Sequence, residues 1–229
     1  MILLADIGNT CVKLSLSDGR EVTEVRRYAY GEVPWAHLLD AAGEVRLSQV
    51  GPSPEQLFAL ARERGRKILR VRDILALHGD EEWARVQAPA ALGEDRLAAI
   101  LGARRRARGC DVLVIDCGTC LTTDLVSREG EYIGGIISPG LRLRLESMHE
   151  HTAALPPVAP EGDAPIWART TEEAMRGGAL NGLRYETDGY IRAAREQRPG
   201  VQVFYTGGIP LNLSEKVQLC PNLVLEGLL

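Results

Sequence analysis

Two stretches of this chain carry residues that could hold phosphate groups and a metal ion, and both follow one pattern. Residues 2–10 read ILLADIGNT and residues 112–119 read VLVIDCGT. In each stretch an apolar run ends at an aspartate, Asp6 or Asp116, and a glycine follows two residues later. The glycine lets the backbone turn sharply and approach a ligand, and the next residues offer N–H and O–H donors. Two copies predict two facing half-sites, one in each lobe, with a nucleotide between them.

A strand followed by Asp-x-Gly is also common in ordinary turns, so either copy alone is weak evidence for phosphate binding. Two copies that each open a new hydrophobic block favour the phosphate interpretation. Neither stretch has the Gly-Lys-Ser/Thr ending of a Walker A loop or the G-x-G-x-x-G of a Rossmann dinucleotide site. The pattern therefore indicates phosphate binding in a different fold.

The bulk composition is that of an ordinary globular protein and argues against several functions. Of the 229 residues, 45% are hydrophobic and 25% are charged, and the net charge is −4. The acidic balance disfavours a general nucleic-acid surface, and no apolar run reaches the roughly 18 residues of a membrane span. Polar residues interrupt the first apolar stretch at once, unlike a signal peptide. Five cysteines, an odd number, argue against a disulfide framework. We therefore expect a cytoplasmic protein that binds neither nucleic acid nor membrane.

The hydrophobic patterns predict an α/β chain made of two similar lobes, residues 1–109 and 110–229. In the first lobe, a meander of three antiparallel strands precedes alternating helices and strands, and Gly109 ends the last helix. The predicted strands are two within residues 1–17, then 21–30, 45–50 and 68–71, and the predicted helices are 35–42, 54–65 and 97–108.

The second lobe repeats this meander and again continues with helices. We predict strands at 112–115, 121–127, 131–136, 201–205 and 223–225, helices at 141–149 and 171–196, a turn at 138–140 and a loop at 155–165. A repeated meander with helices after it predicts a duplicated α/β architecture with a cleft between its lobes. Ligands favour such interfaces.

Eight motifs along the chain resemble those of type III pantothenate kinases, which belong to the acetate kinase, sugar kinase, Hsp70 and actin superfamily. They lie at residues 6–13, 93–96, 116–124, 134–140, 152–156, 170–178, 206–208 and 223–228. Each motif alone is weak, but eight in family order over nearly the whole chain are specific. The resemblance implies duplicated ribonuclease H-like lobes, as in actin-like ATPases, with a nucleotide cleft between them.

The resemblance also implies a reaction and its cofactors. ATP would phosphorylate the primary hydroxyl of pantothenate to give 4′-phosphopantothenate, the first step of coenzyme A biosynthesis. Mg²⁺ with ATP and a monovalent cation, potassium or ammonium, would be required. Members of this family are homodimers whose substrate pocket is completed across the interface, and the helices at 141–149 and 171–195 could supply that surface.

The same resemblance assigns the residues that would face the nucleotide. Contacts with the ATP phosphates are implied for Asp6, Gly8, Asn9, Thr10, Lys13, Gly118 and Thr119. Asp6 would hold Mg²⁺ either directly or through water, because Mg²⁺ keeps several of its waters in proteins. Asp116 would bind the monovalent cation.

A second set of residues would face pantothenate, and each has a plainer alternative role. The implied set is Gly93, Glu94, Asp95, Arg96 and Thr171. Asp95 would be the general base that accepts the hydroxyl proton, with helix capping as the alternative. Arg96 would grip the pantothenate carboxylate with its planar fork, unless it forms a surface ion pair. Thr171 would bind substrate, cap a helix, or do both.

Two positions depart from the family pattern. Val86 stands where the family usually has a tyrosine that helps form the substrate pocket, and Trp83 is a candidate replacement. Glu94 stands where alanine is frequent, and it adds a negative charge beside Asp95. The change at Val86 leaves open a related kinase for another small hydroxy acid. A non-catalytic regulatory relative is a further alternative, which the retained set of polar residues disfavours.

Overall fold

The computed structural model describes all residues from Met1 to Leu229, and they form two compact units, each built around one five-stranded sheet. The first unit comprises Met1–Val112, Val126–Ile133 and Asn222–Leu229, and the second comprises Leu113–Leu125 and Gly134–Pro221. The division into functional lobes at residues 109 and 110 stays a prediction.

The sheet of the first unit has the strand order β3-β2-β1-β4-β5. Its strands are β1 (Ile2–Ile7), β2 (Val12–Ser17), β3 (Arg26–Tyr28), β4 (Glu44–Gln49) and β5 (Lys67–Arg70). β1 pairs antiparallel with β2, and β2 pairs antiparallel with β3, which confirms the predicted meander. The third strand is shorter than predicted. β4 lies parallel to β1 on its other side, and β5 lies parallel to β4.

Alternation along these strands separates a core face from a polar face. Successive side chains of a strand point to opposite faces of its sheet, so Ala5 and Ile7 lie on one face and Asp6 on the other. The core face packs on two helices, α1 (Trp35–Ala41) and α2 (Glu55–Glu63), through residues that are almost fully buried. Each such side chain contributes about 1.5–3 kcal/mol when it leaves water, so the register that places Asp6 is strongly fixed.

Further helices of the first unit lead to the predicted substrate motif. α3 (Val71–Leu77) and a 3₁₀ turn (Glu82–Ala84) were not predicted, because short segments give weak periodicity. α4 (Glu94–Arg106) was predicted, and its buried residues include Leu97, Ile100 and Leu101.

The sheet of the second unit repeats the order of the first. Its strands are β6 (Val112–Cys117), β7 (Cys120–Val126), β8 (Tyr132–Pro139), β9 (Gln202–Gly207) and β10 (Gln218–Leu219). The order is β10-β9-β6-β7-β8. Read from β8, it places the third, second, first, fourth and fifth strands of this sheet side by side, which is the order of the first sheet. The predicted α/β fold of duplicated ribonuclease H-like lobes is thereby confirmed.

The remaining helices are α5 (Leu141–Glu150), α6 (Thr171–Gln197) and α7 (Leu223–Glu226). None of the helices combines the length and apolar character needed to cross a membrane. The predicted turn at 138–140 was partly wrong, since β8 continues through Pro139.

The prediction of a strand at 223–225 was also wrong, since this segment is α7. An apolar run of this length does not distinguish strand from helix, and here packing on α4 decides. A Cβ at Gly102 of α4 would lie 2.4 Å from the Leu223 carbonyl oxygen, so the two backbones approach closely.

The turn after β1 is held by the end of β4. The carbonyl oxygen of Ile7 accepts hydrogen bonds from the Val50 and Gly51 amides at 3.0 and 2.9 Å. A Cβ at Gly51 would lie 1.9 Å from the Gly8 carbonyl oxygen, so only glycine allows this approach.

The second unit builds its turn in the same way. The carbonyl oxygen of Cys117 accepts from the Gly208 and Ile209 amides at 3.1 and 3.3 Å. Gly207 has a φ of +103°, and a Cβ there would lie 2.3 Å from the same oxygen. The residue after the aspartate is therefore anchored to the neighbouring strand end in both units.

This packing predicts that Gly51→Ala will destabilise the protein by about 3 kcal/mol or more, because the added methyl group meets backbone that cannot move away. Chemical denaturation checks the value. The matched control is Gly189→Ala in α6, where an added Cβ meets nothing within 4 Å; it should be neutral or stabilise by up to about 1 kcal/mol. Equal stability of the two variants would contradict the close approach at Gly51.

Candidate active site

Asp6 lies near the end of β1 on the polar face of the first sheet, and it is only 5% exposed. The strand register places Lys13 of β2 opposite it on one side and Ser48 of β4 opposite it on the other. Lys13 Nζ lies 3.7 Å from Asp6 Oδ2. Strand pairing thus brings together two of the predicted phosphate-site residues.

One oxygen of Asp6 lacks a partner. Asp6 Oδ1 and the neighbouring Ser48 hydroxyl oxygen are both buried, and neither has a partner at hydrogen-bond distance, although the Ser48 hydroxyl lies near enough to the carboxyl group to lower its pKa. A buried carboxylate oxygen normally has a partner, and leaving it unsatisfied is costly. The oxygen ligands that Mg²⁺ prefers are of this type. The donor set therefore fits a divalent cation at Oδ1.

The electrostatics of this carboxyl group point the same way. Burial raises the pKa of Asp6 to about 6, the Lys13 ammonium opposes that rise, and the nearby Asp95 carboxylate adds to it. A cation beside the two carboxylates would relieve both the desolvation and the repulsion.

The turn after Asp6 presents the other predicted phosphate-site residues. The Gly8 amide donates to the Cys11 carbonyl at 3.2 Å, which closes the turn. Asn9 and Thr10 lie exposed at its tip. The Tyr30 hydroxyl donates to the Gly8 carbonyl oxygen and braces the turn from outside.

The predicted substrate motif forms the first turn of α4. Gly93 precedes the helix, and a Cβ there would stand 2.8 Å from Asp95 Oδ1, so the absent side chain makes room for this carboxylate. Asp95 Oδ1 also accepts from the Arg96 amide at 2.8 Å. The Asp95 carboxylate thus lies at a helix N-terminus, where the helix dipole stabilises negative charge.

Glu94 makes contacts that the sequence did not reveal. Arg70 donates to both of its carboxylate oxygens, at 2.8 and 2.9 Å. The backbone amide of Gln49 also donates to Oε2, at 3.0 Å. Direct contact between Glu94 and substrate stays a prediction, but its charge is already balanced within the protein.

Tyr132 is a candidate site residue that sequence reasoning missed. Arg96 Nη2 donates to its hydroxyl at 3.0 Å. Val86 and Trp83 are buried, at 9% and 1% exposure, and Trp83 packs beneath Arg105. Trp83 is therefore a core residue, and Tyr132 supplies the phenol beside Arg96. No local signal links β8 to the α4 motif, since 36 residues separate them.

The second aspartate motif lies at the end of β6. The Gly118 amide donates to the Cys120 carbonyl at 2.9 Å, and the Gly140 amide donates to the Thr119 carbonyl at 3.1 Å. Asp116 is partly exposed beside this turn. No group of three or more His, Cys, Asp or Glu side chains forms a metal cluster in the chain, so a cation at Asp116 would need backbone or hydroxyl oxygens as well.

Thr171 is the first residue of α6, but it does not cap the helix. Thr170 is the capping residue, and its hydroxyl accepts from the Glu173 amide at 3.2 Å. Thr171 is exposed. The capping alternative for Thr171 is therefore wrong, and its substrate role stays a prediction.

Solved structures support the fold. A Campylobacter jejuni protein proposed to be a Baf family transcriptional activator aligns with a TM-score of 0.61 at 18% identity, over 98% of this chain and 94% of that chain. A proposed 2-dehydro-3-deoxygalactonokinase from Sinorhizobium meliloti aligns with a TM-score of 0.50 at 14% identity, over 100% of this chain and 97% of that chain. At these identities the likeness concerns the fold alone.

Sequence comparison is more specific. Residues 2–193 match the family model of type III pantothenate kinase. Proteins of that name from Bacteroides fragilis and Christiangramia forsetii are 33% and 34% identical to this chain. The matches cover 95% of this chain and 90% of the first relative, and 100% of this chain and 96% of the second. This chain therefore belongs to the type III pantothenate kinase family.

Proposed function

We propose that this chain transfers the γ-phosphoryl group of ATP to the primary hydroxyl of pantothenate. The product is 4′-phosphopantothenate, and the reaction is the first step of coenzyme A biosynthesis. Beside family membership, one observation carries the proposal: the buried Asp6 carboxylate, with one oxygen that has no hydrogen-bond partner, is repelled by the Asp95 carboxylate at the start of α4. A candidate metal-binding group and a candidate proton acceptor are thus near enough to interact electrostatically.

Asp6, Lys13 and the turn between them form the nucleotide side of the proposed site. Asp6 would hold Mg²⁺ through Oδ1, directly or through water, and Lys13 would face the phosphate oxygens. When bound, Mg²⁺ offsets the negative charge that phosphoryl transfer spreads over those oxygens. Gly8, Asn9 and Thr10 would donate to phosphate, and so would Gly118 and Thr119 of the second motif.

Asp95 and Arg96 form the acceptor side. Asp95 would accept the proton of the pantothenate hydroxyl as it attacks, and Arg96, braced by Tyr132, would bind the pantothenate carboxylate. We also assign substrate contact to Gly93 and Thr171. Most of the catalytic effect would come from positioning and charge stabilisation, as in other phosphoryl transfers.

A homodimer and a cytoplasmic location complete the proposal. Exposed apolar side chains on β8 and α6, among them Ile137, Tyr185 and Tyr190, offer a surface for a second copy. Sedimentation velocity tests the dimer. All five cysteines are free thiols, as expected in a reducing compartment, and cell fractionation tests that location.

The first test is ADP release with Mg²⁺, ATP and pantothenate. Wild type should release ADP only when pantothenate is present, and Asp95→Asn should lower kcat by about 10²- to 10⁴-fold because the proton acceptor is lost. Circular dichroism confirms that the variant is folded. ADP release that depends on another hydroxy acid, and not on pantothenate, would favour the related kinase that Val86 leaves open.

Asp6→Asn should stabilise the ligand-free protein while it abolishes activity. The pKa of Asp6 is raised above its unfolded value of 3.8 to about 6, so ionised Asp6 costs stability at neutral pH. We expect the free energy of unfolding of Asp6→Asn to exceed that of wild type by about 1 to 3 kcal/mol at pH 7.5. This difference should shrink as pH falls below 6 and vanish near pH 3.5. Thermal unfolding across this range measures it, with Asp18→Asn, in an exposed turn, as the control. Lower stability of Asp6→Asn than of wild type at every pH would contradict the conclusion that ionised Asp6 costs stability.

Asp116→Asn should remove the dependence on a monovalent cation. Wild-type activity should fall several-fold when potassium is replaced by sodium, whereas the variant should be slow in both, because a carboxylate contributes charge that an amide lacks. The measurement is kcat/KM for ATP in each salt. The control is Asp163→Asn in an exposed loop. A variant that kept the potassium response would place the cation elsewhere.

A further inference from the structure

Glu94 connects the first turn of α4 to the neighbouring elements by an ion pair with two parallel hydrogen bonds. Arg70 Nε donates to Glu94 Oε1 at 2.8 Å, and Arg70 Nη2 donates to Oε2 at 2.9 Å. A pair of this kind fixes the orientation of the carboxylate as well as its position. Arg70 is the last residue of β5 and directly precedes α3, so it is anchored by regular structure on both sides.

The same carboxylate is also bound to the strand beside Asp6. The backbone amide of Gln49, at the end of β4, donates to Glu94 Oε2 at 3.0 Å. Gln49 pairs in register with Ile7, the residue that follows Asp6. Glu94 therefore joins the helix that carries Asp95 to β4, which pairs with the strand that carries Asp6.

We propose that Glu94 and Arg70 form a clamp that positions Asp95 and Arg96 for the reaction, and that Glu94 does not contact substrate. This rests on the function proposed above. Glu94 precedes Asp95 directly, its side chain is only 18% exposed, and both of its oxygens are engaged by protein donors. A displacement of about 1 Å in a reacting group can cost on the order of a hundredfold in rate, so orientation of this turn matters.

The clamp is not needed to keep α4 folded. Leu97, Ile100 and Leu101 are fully buried, and further along the helix Arg104 donates to the carbonyl oxygens of Trp83 and Ser127 at 3.1 and 2.7 Å. These contacts hold the body of the helix. What the clamp adds is the orientation of the first turn.

The test compares Arg70→Met, Glu94→Gln and the double variant with wild type in the pantothenate-dependent ADP assay. We expect kcat/KM for pantothenate to fall about 10- to 100-fold in each. KM for ATP should stay within about twofold, because the turn after β1 is unchanged. Arg64→Met is the control, since Arg64 pairs with Asp40 at 2.7 Å between α2 and α1; it should behave as wild type.

The double variant distinguishes the clamp from direct substrate contact. If the two residues act through one clamp, kcat/KM for pantothenate in the double variant should equal that of the less active single variant. Losses that multiply would show that Glu94 acts on substrate by itself and would overturn the clamp. Unchanged kinetics with a lower melting temperature would also overturn it, because the ion pair would then be only structural.

Two further outcomes keep the clamp and the proposed function apart. Should Arg70→Met not fold, Arg70→Lys keeps the charge without the two-pronged geometry, and the clamp predicts an intermediate loss for it. Wild type with no pantothenate-dependent ADP release would overturn the clamp together with the proposed function. Active wild type with fully active variants would overturn the clamp alone.

Discussion

The geometry of the proposed site depends most on a constraint that costs stability, the burial of the Asp6 carboxylate. Moving a charged carboxylate out of water is expensive, and Lys13 at 3.7 Å compensates only part of the cost. The protein tolerates this because the opposite face of the same sheet packs a continuous apolar core against α1 and α2. A strand has two faces, so fixing Ala5 and Ile7 in that core leaves Asp6 no alternative position. The apolar core therefore offsets the free-energy cost of burying this carboxylate, one oxygen of which has no hydrogen-bond partner.

The two aspartate turns show how duplication preserves geometry when the sequence differs. Ile7 and Cys117 have different side chains, yet each carbonyl oxygen accepts two amides from the end of the neighbouring strand. What the units share is backbone, and backbone can approach backbone this closely only where side chains are absent. The two turns therefore depend on Gly51 and Gly207, because a side chain at either position would meet the backbone of the turn.

Local patterns predicted what is local in origin. β1, β2, α4 and α6 were anticipated because their periodicity and turn residues lie within a few positions of each other, and the pairing of Asp6 with Lys13 follows from one hairpin. The segment that forms α7 was predicted wrongly because contact with α4 decides its conformation. Tyr132 and Arg70 were missed for a similar reason: their partners lie 36 and 24 residues away, and nothing near them in the sequence marks the contact.

The departure at Glu94 can be understood from charge balance. An acidic residue beside Asp95 adds a third negative charge to those of Asp95 and Asp6, in the site where we propose that ATP, itself an anion, binds. Arg70 binds Glu94 through both oxygens, so the added charge is offset within the ion pair. The helix N-terminus adds its positive dipole end at the same place. The protein can therefore carry a glutamate directly before Asp95, and this glutamate attaches the first turn of α4 to β4 and β5.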